Sequence, residues 1–367
     1  MTIKLNVIGD PIEHSKSPEV HGSILNILKI PYEYEKVKVK KNELDKYIEN
    51  AIKNNVTGFN LTMPHKVDII PYLDGIDSEA ELFGAVNTVK IKDNKLYGYN
   101  TDANGFITSL NLGQNGFNVK GRKIIILGAG GVVSTLALKF SQLEASKIII
   151  LNRTVQKAEA ICMRVMSAQD NGSINKVTSL KFDSSNSKNV KNYLDDCDMI
   201  INATPLGMSG ISYDYTDLSF LDKLNNEALA VDLIYNPEKT AFLKYAEKNG
   251  NKIMNGYGML ICQAILADEI YLDTKLHVSS RGAAADFEYF LSSGMQEEVI
   301  KDAISEAEKR GKPYSYAQGI MRNRLEEGKL TMKEIERSLD NGGNGKSVPE
   351  HTENSGEPWG QLGVTLL

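Results

Sequence analysis

With 367 residues, 41% hydrophobic and 24% charged, the chain has the composition of a soluble globular protein of two or three domains. A formal net charge of −5 gives no electrostatic case for a nucleic-acid or membrane partner of the chain as a whole, and no apolar run approaches the length of a membrane span. Three widely spaced cysteines, Cys162, Cys197 and Cys262, form no metal or redox motif and read as small buried hydrophobes of a reducing compartment.

The N-terminus, Met1 to Gly9, has strand character and lacks the basic and apolar regions of a signal peptide, so a cytoplasmic location is expected. Residues 1–102 alternate strand and helix patterns. Strands are predicted at Ile3–Gly9, Tyr32–Val39, Gly58–Leu61, Val86–Lys92 and Lys95–Asn100, with Asp93-Asn94 as a hairpin signal between the last two. Helices are predicted at Ser17–Leu28 and Leu44–Lys53, with a shorter one near Pro64–Ile70. That order points to a mostly parallel sheet covered by helices.

Two segments of this region carry chemistry. Ser15 and Ser17 lie two apart at a helix start, where hydroxyls and free amides suit a carboxylate; an N-cap serine is the ordinary reading of either alone. Gly58–Lys66 strings the amide of Asn60, the hydroxyl of Thr62 and the amine of Lys66 along a path stiffened by Pro64, and Gly98–Asp102 adds a carboxylate. A Lys and an Asp among small hydrogen-bonding side chains could transfer a proton while holding a polyhydroxylated substrate. Taken alone, a strand end with a solvated lysine is the plainer reading.

A second unit starts near Gly105. Lys123–Leu127 is a continuous apolar run, hence a buried strand, and it enters Gly128-Ala129-Gly130-Gly131 before a helix from Val133 to Leu143. In that context Gly128 permits a tight turn, and Gly130 lets the backbone approach a pyrophosphate facing the positive end of the helix. The third glycine of the usual fingerprint is replaced by Val133, which implies a slightly wider helix–strand packing. The next strand, Lys147–Leu151, runs into Asn152-Arg153-Thr154. No carboxylate stands there to repel a 2′-phosphate, Arg153 could stack on adenine and bind that phosphate, and Asn152 and Thr154 add neutral hydrogen bonds; this favours NADP over NAD. Further strands at Met199–Asn202 and Ala228–Asp232 complete a doubly wound, Rossmann-type pattern. A long helix, Met259 to Tyr271, is expected to return to the first domain.

From about Lys275 parallel-strand patterns cease. Met295–Arg310 carries Val299, Ile300, Ala303, Ile304 and Ala307 at helical spacing, and Tyr314–Glu327 carries Tyr316, Ala317, Ile320, Met321 and Leu325. Thr331 and Glu334 form a capping box with Leu330 and Ile335 as its staple, and the tail from Asn341 reads as disordered.

Together the motifs of residues 3–272 closely resemble shikimate dehydrogenases, NADP-dependent reductases of aromatic amino acid biosynthesis. They are Ser15-Lys16-Ser17-Pro18, Asn60–Lys66, Gly84-Ala85-Val86-Asn87-Thr88, Asn100-Thr101-Asp102, Gly128–Gly131, Asn152-Arg153-Thr154, Ile201–Pro205, Asp232–Pro237 and Gly258–Ala264. The resemblance implies an α/β fold with a substrate domain (1–102 plus 256–274) and a Rossmann-type NADP domain (103–255). It implies that Ser15 and Ser17 bind the substrate carboxylate, with Tyr235 close by. Asn60, Thr62, Asn87, Thr101 and Gln263 would hold ring hydroxyls or their neighbours. Lys66 and Asp102 would form the acid–base pair for shikimate and 3-dehydroshikimate. Thr204 and Met208 would line the nicotinamide side and Gly256 the cleft. A homodimer is left open, as is a quinate/shikimate enzyme of relaxed specificity.

Three departures from the family pattern stand out. Val133 and Ser134 replace a small residue and an Arg or Lys, which could weaken NADP affinity. Asp268 and Tyr271 stand where Phe and Trp are common, and an Asp on a packing face is unfavourable unless it faces water. The family's usual last helix is also missing.

Residues 286–339 weakly resemble the DnaD/DnaB-type domain of replication-initiation proteins, through Glu298-Val299-Ile300 with Ala303, Tyr316 with Ile320 and Arg324, then Gly328 and Thr331, Leu325 replacing a Trp. That resemblance would imply DNA or replisome contact by a small helical segment. Acids roughly match the bases there, and the one basic cluster, Lys309-Arg310-Gly311-Lys312, reads first as a helix C-terminus.

Overall fold

Alternating strands and helices from the N-terminus build a six-stranded sheet in the computed structural model, which describes residues 2–113, 117–169, 176–182, 188–273, 290, 293–310 and 314–335. The strands are β1 (Ile3–Gly9), β2 (Tyr32–Lys38), β3 (Gly58–Leu61), β4 (Gly75–Ile76), β5 (Thr88–Lys92) and β6 (Lys95–Tyr99), in the order β2-β1-β3-β5-β6-β4. Both β2 and β3 pair with β1 in parallel, whereas β5 runs antiparallel to β3 and β6. The sheet is therefore mixed. The reversal lies where the sequence signals it: Asp93 and Asn94 both have positive φ, 53° and 59°, the geometry of a two-residue hairpin turn.

The helices of this region are α1 (Ser17–Ile27), α2 (Leu44–Lys53), the single turn α3 (His65–Asp68), α4 (Ser78–Phe83) and α5 (Asp102–Gly113). Neither β4 nor α4 is anticipated by the pattern reading. The signal for α4 is nonetheless local: the Asp77 carboxylate caps it, accepting from the Glu79 N–H at 2.9 Å and the Ala80 N–H at 3.4 Å. β5 starts at Thr88 rather than Val86, because the Val86 N–H is spent on the Lys66 carbonyl at 2.7 Å.

The second sheet is parallel throughout: β7 (Lys123–Leu127), β8 (Lys147–Asn152), β9 (Lys176–Lys181), β10 (Met199–Asn202), β11 (Leu229–Asp232) and β12 (Lys252–Met254), in the order β12-β11-β10-β7-β8-β9. The chain runs β7, β8, β9 in one direction, then returns to β10 beside β7 and continues the other way. That reversal between β7 and β10 is the topological switch point, where ligands bind beyond the carboxyl ends of the strands. β9 and β12 were not named from the sequence; both are edge strands. Covering helices are α6 (Gly131–Gln142), α7 (Val155–Ser167) and α8 (Ala241–Lys248). Val133 lies fully buried in the same core as Ile124 and Ile126 and fills the helix–strand interface. α9 (Tyr257–Tyr271) then packs on α1 and α5, as the return to the first sheet requires.

Residues 1–271 form one compact unit and residues 272–367 another. In the second, helices Glu297–Lys309 and Tyr314–Glu326 enclose a core of Phe290, Met295, Val299, Ile300, Ala303, Ala307, Ala317, Met321 and Ile335. The capping box forms: the Thr331 N–H donates to the Glu334 carboxylate at 2.9 Å, and the Glu334 N–H to the Thr331 hydroxyl at 3.3 Å. The side chains of Ile304 and Tyr316, together with Gly311, Lys312 and the tail from Asn341, lie outside the described residues. Among those described, no helix is long and apolar enough to cross a membrane.

Candidate active site

The carboxyl end of β3 delivers Asn60 and then, through a tight turn, the short helix α3 with Lys66. The Lys66 amine donates to Asp102 Oδ2 at 2.7 Å, with the lysine side chain 31% exposed and the carboxylate 10%. Asp102 opens α5, its N–H bound to Asn100 Oδ1 at 3.0 Å. Asn87 sits between the two segments. Its Nδ2 lies 2.9 Å from Asp102 Oδ1, 2.9 Å from the Thr101 hydroxyl and 3.3 Å from Gln263 Oε1, and its Oδ1 accepts the Thr101 N–H at 2.9 Å. Gln263 comes from α9, which approaches α5 closely because residue 105 is glycine. A Cβ there would lie 2.7 Å from both Cβ and the backbone nitrogen of Gln263.

Asn60 joins the same network, its Nδ2 donating to the Thr88 hydroxyl at 3.2 Å and its Oδ1 accepting from the Tyr34 phenol at 2.7 Å. Lys66, Asp102, Asn87, Thr101, Gln263 and Asn60 are thus brought into one hydrogen-bonded set. Tyr34 and Thr88, to which the sequence reading gave no role, belong to it. Strand alternation places Tyr32, Tyr34 and Lys36 on one face of β2, but only the sheet order shows that this face reaches Asn60.

Ser15 and Ser17 stand side by side. The Ser15 hydroxyl donates to that of Ser17 at 3.2 Å and accepts the Ser17 N–H at 3.3 Å, while the cap residue of α1 is Lys16 and makes no side-chain cap bond. Thr62 is half-buried, its methyl over Gly9, where a Cβ would lie 2.4 Å away. Tyr235, after β11, stands in ring contact with Tyr257, centroids 6.5 Å apart; burial and then the Glu19 carboxylate of α1 push its phenol pKa up.

At the switch point, Gly128 has φ +114°, and a Cβ would meet the Ala203 carbonyl at 2.8 Å, so only glycine fits this turn beside the loop after β10. A Cβ on Gly130 or Gly131 would meet nothing within 4 Å, and the N-terminus of α6 carries no side-chain cap. Together with Ala129 these residues leave an open cradle of backbone amides suited to a pyrophosphate. At the end of β8, Arg153 is exposed and makes no hydrogen bond or ion pair among the described residues; Asn152 Nδ2 donates to the Thr154 carbonyl at 2.8 Å. The Ser134 hydroxyl on α6 is buried without a hydrogen-bond partner among the described residues.

Thr204 and Met208 lie on the loop after β10. The Thr204 hydroxyl donates to Asn202 Oδ1 at 2.7 Å, and Met208 is 42% exposed. Asn202 in turn donates to Asp232 Oδ1 at 3.1 Å, and the Thr240 hydroxyl donates to Asp232 Oδ2 at 2.6 Å. Burial pushes the Asp232 carboxyl pKa up to about 6 despite these bonds. This buried scaffold braces the loop from below. Gly256 abuts the Leu233 carbonyl, 2.1 Å from where its Cβ would be.

Asp268 does not face water. It is fully buried, its Oδ1 2.7 Å from His21 Nδ1, and His21 is fully buried too. The helix pair α1–α9 supplies a partner that sequence spacing could not reveal, which is why an acid is tolerated on this packing face.

Residues 7–89 match the family described as the shikimate dehydrogenase substrate binding domain, and residues 111–208 match shikimate / quinate 5-dehydrogenase. A shikimate dehydrogenase (NADP+) of Methanocaldococcus jannaschii is 39% identical over 269 residues, 73% of this chain and 90% of that protein. Among solved structures, a shikimate dehydrogenase in complex with NADP+ superposes with a TM-score of 0.67 at 36% identity, covering 77% of this chain and 94% of the other. A Listeria monocytogenes shikimate 5-dehydrogenase in complex with shikimate and NAD gives a TM-score of 0.66 at 30% identity, covering 77% and 96%.

Proposed function

The chain belongs to the shikimate dehydrogenase family, and from that membership we propose that it catalyses the reversible NADPH-dependent reduction of 3-dehydroshikimate to shikimate. The observation that carries the proposal is the Lys66–Asp102 contact of 2.7 Å inside a ring of amides and hydroxyls. The open cradle at Gly128–Gly131 and Arg153, which has no hydrogen bond or ion pair among the described residues, fit a dinucleotide with a 2′-phosphate, which Asn152 and Thr154 would flank and whose nicotinamide Thr204, Met208 and Gly256 would border. When bound, the reduced cofactor supplies the hydride.

Carbonyl reduction puts negative charge on the oxygen, which must be protonated. The Lys66 ammonium stabilises that charge and donates the proton, then regains one from solvent, to which it is partly exposed. Asp102 orients the amine, and Asn87 holds the second carboxylate oxygen so that the first stays on Lys66. Ser15, Ser17 and Tyr235 take the substrate carboxylate; Asn60, Thr62, Thr101 and Gln263 take ring hydroxyls. Residues 1–102 with 256–274 act as the substrate domain and 103–255 as the NADP domain. Cytoplasmic location is part of this reading, and three buried free thiols, Cys162, Cys197 and Cys262, fit it.

Assay of shikimate and quinate with NADP and NAD tests the proposal. Shikimate with NADP should dominate; quinate turnover of similar size would favour the relaxed-specificity enzyme. For the second unit, the basic residues argue against the DNA-contact reading: Arg324 is spent on Asp302 at 2.7 Å, Arg310 on Glu306 at 2.6 Å and Lys329 on Glu327 at 2.6 Å. Retardation of DNA at physiological salt that disappears on removing residues 286–339 would reverse that judgement.

A further inference from the structure

Tyr34 has no role in the function above, yet its phenol touches one of the proposed substrate ligands, donating to Asn60 Oδ1 at 2.7 Å. Beyond Asn60 the contacts continue to the reacting lysine. Asn60 and Thr88 are register partners across β3 and β5, and Asn60 Nδ2 donates to the Thr88 hydroxyl at 3.2 Å. Thr88 donates to Asn87 Oδ1 at 3.0 Å, Asn87 Nδ2 to Asp102 Oδ1 at 2.9 Å, and Lys66 to Asp102 Oδ2 at 2.7 Å.

The donor and acceptor roles along this path allow only one direction. An ionised carboxylate only accepts, so Asn87 must turn its amide nitrogen toward Asp102. Its Oδ1 then faces Thr88, whose single proton is committed to it. Thr88 oxygen must therefore accept from Asn60, which leaves Asn60 Oδ1 facing Tyr34. The phenol can end the series because it donates, and burial holds its proton on by raising its pKa well above the usual value. Reversing Asn60 would set its Oδ1 against the Thr88 oxygen, and reversing Asn87 would set its Oδ1 against the Asp102 carboxylate, acceptor against acceptor in each case.

Tyr34 is itself fixed from behind. Its ring stacks on His21, centroids 4.8 Å apart and planes 24° from parallel, and His21 is tied to Asp268 at 2.7 Å with both side chains fully buried. The Tyr271 ring lies over Gly58, where a Cβ would come within 2.4 Å of it. Asp268 and Tyr271, the two departures on α9, thus buttress the Tyr34 end of the series.

We propose that Tyr34, held by the His21–Asp268 pair, is a positioning residue that pins the Asn60 side chain at the far end of the series whose other end is the Asp102–Lys66 pair. This rests on the reading of Lys66 and Asp102 as the acid–base pair. Tyr34→Phe keeps the ring and removes the donor. Its expected effect is a rise in the KM for shikimate and a fall in kcat, together about tenfold in kcat/KM, with the KM for NADP unchanged. Thr88→Val breaks the series further in and should do the same, and Thr88→Ser, which keeps the hydroxyl, should recover most of the loss.

A merely structural role would reduce the amount of folded enzyme without moving the KM for shikimate. Wild-type kcat and KM in both Tyr34→Phe and Thr88→Val, with Lys66→Ala inactive, would overturn the proposal and leave the active site standing. Full turnover in Lys66→Ala would instead remove the active-site reading itself. If a variant fails to fold, the wild-type enzyme still decides: the side-chain amide protons of Asn60 and Asn87 should be protected from exchange, and rapid exchange would contradict the series.

Discussion

Lys66 Nζ and Asp102 Oδ2 meet at 2.7 Å although they come from different elements, the turn after β3 and the start of α5. The bond between the Val86 N–H and the Lys66 carbonyl, 2.7 Å, fastens the turn to the segment that carries Asn87. The same short segment therefore fixes both partners, one through its backbone and the other through the Asn87 side chain.

Lys66→Ala should lower kcat by about 10²–10⁴-fold, the usual worth of a positioned proton donor. Shikimate binding, followed by calorimetry in the presence of NADP, should survive. A loss of binding equal to the loss of turnover would make Lys66 a ligand and nothing more.

Arg153→Ala should raise the KM for NADP about tenfold or more while leaving that for shikimate unchanged, since the guanidinium is exposed and has no partner to release among the described residues. NAD-linked turnover should barely change. Equal effects on the two dinucleotides would show that Arg153 contacts adenine rather than a 2′-phosphate.

Asp232 should titrate near pH 6 when its carboxyl carbon is followed by NMR, because burial outweighs the bonds from Thr240, the Ile234 N–H and Asn202. An unfolded Asp titrates near 3.8, so between about pH 4 and 6 the folded protein holds this proton more tightly. The contribution of Asp232 to stability therefore falls as pH rises through that window and levels off above it, by on the order of 3 kcal/mol. A titration midpoint near 4 would mean that the three donors win over burial.

Gly105→Ala should force α5 and α9 apart, since the new methyl would press on the backbone of Gln263 at 2.7 Å. Overpacking of this kind costs about 1–3 kcal/mol, offset in part by the better helix propensity of alanine. Thermal denaturation should show the loss, and the KM for shikimate should rise as Gln263 leaves Thr101. A variant with unchanged melting and KM would show that the helices yield freely.

Removing residues 275–367 should alter solubility or stability more than chemistry, because residues 1–271 form a compact unit with all the proposed site residues inside it. Steady-state kinetics of the folded truncation should stay within about threefold of the full chain, a change of under 1 kcal/mol. A collapse of turnover would assign the second unit a part in the reaction.

Much of the molecule follows from local pattern. The Asp93-Asn94 turn, the apolar run into Gly128, the strand end at Asn152-Arg153 and the paired serines at the start of α1 each depend on neighbours a few residues away, so short windows suffice to read them. Lys66 and Asp102 could be singled out as residue types, and family motifs could pair them. What lay beyond the sequence were the contacts that depend on sheet order and helix docking. Asp268 reads as misplaced until α9 is laid on α1 and His21 meets it at 2.7 Å; Tyr34 reads as strand filler until β2, β1 and β3 come into register and its hydroxyl reaches Asn60. A buried polar group is stable only with its partner, and when that partner is 247 residues away, tertiary packing alone decides whether the group is a fault or a support.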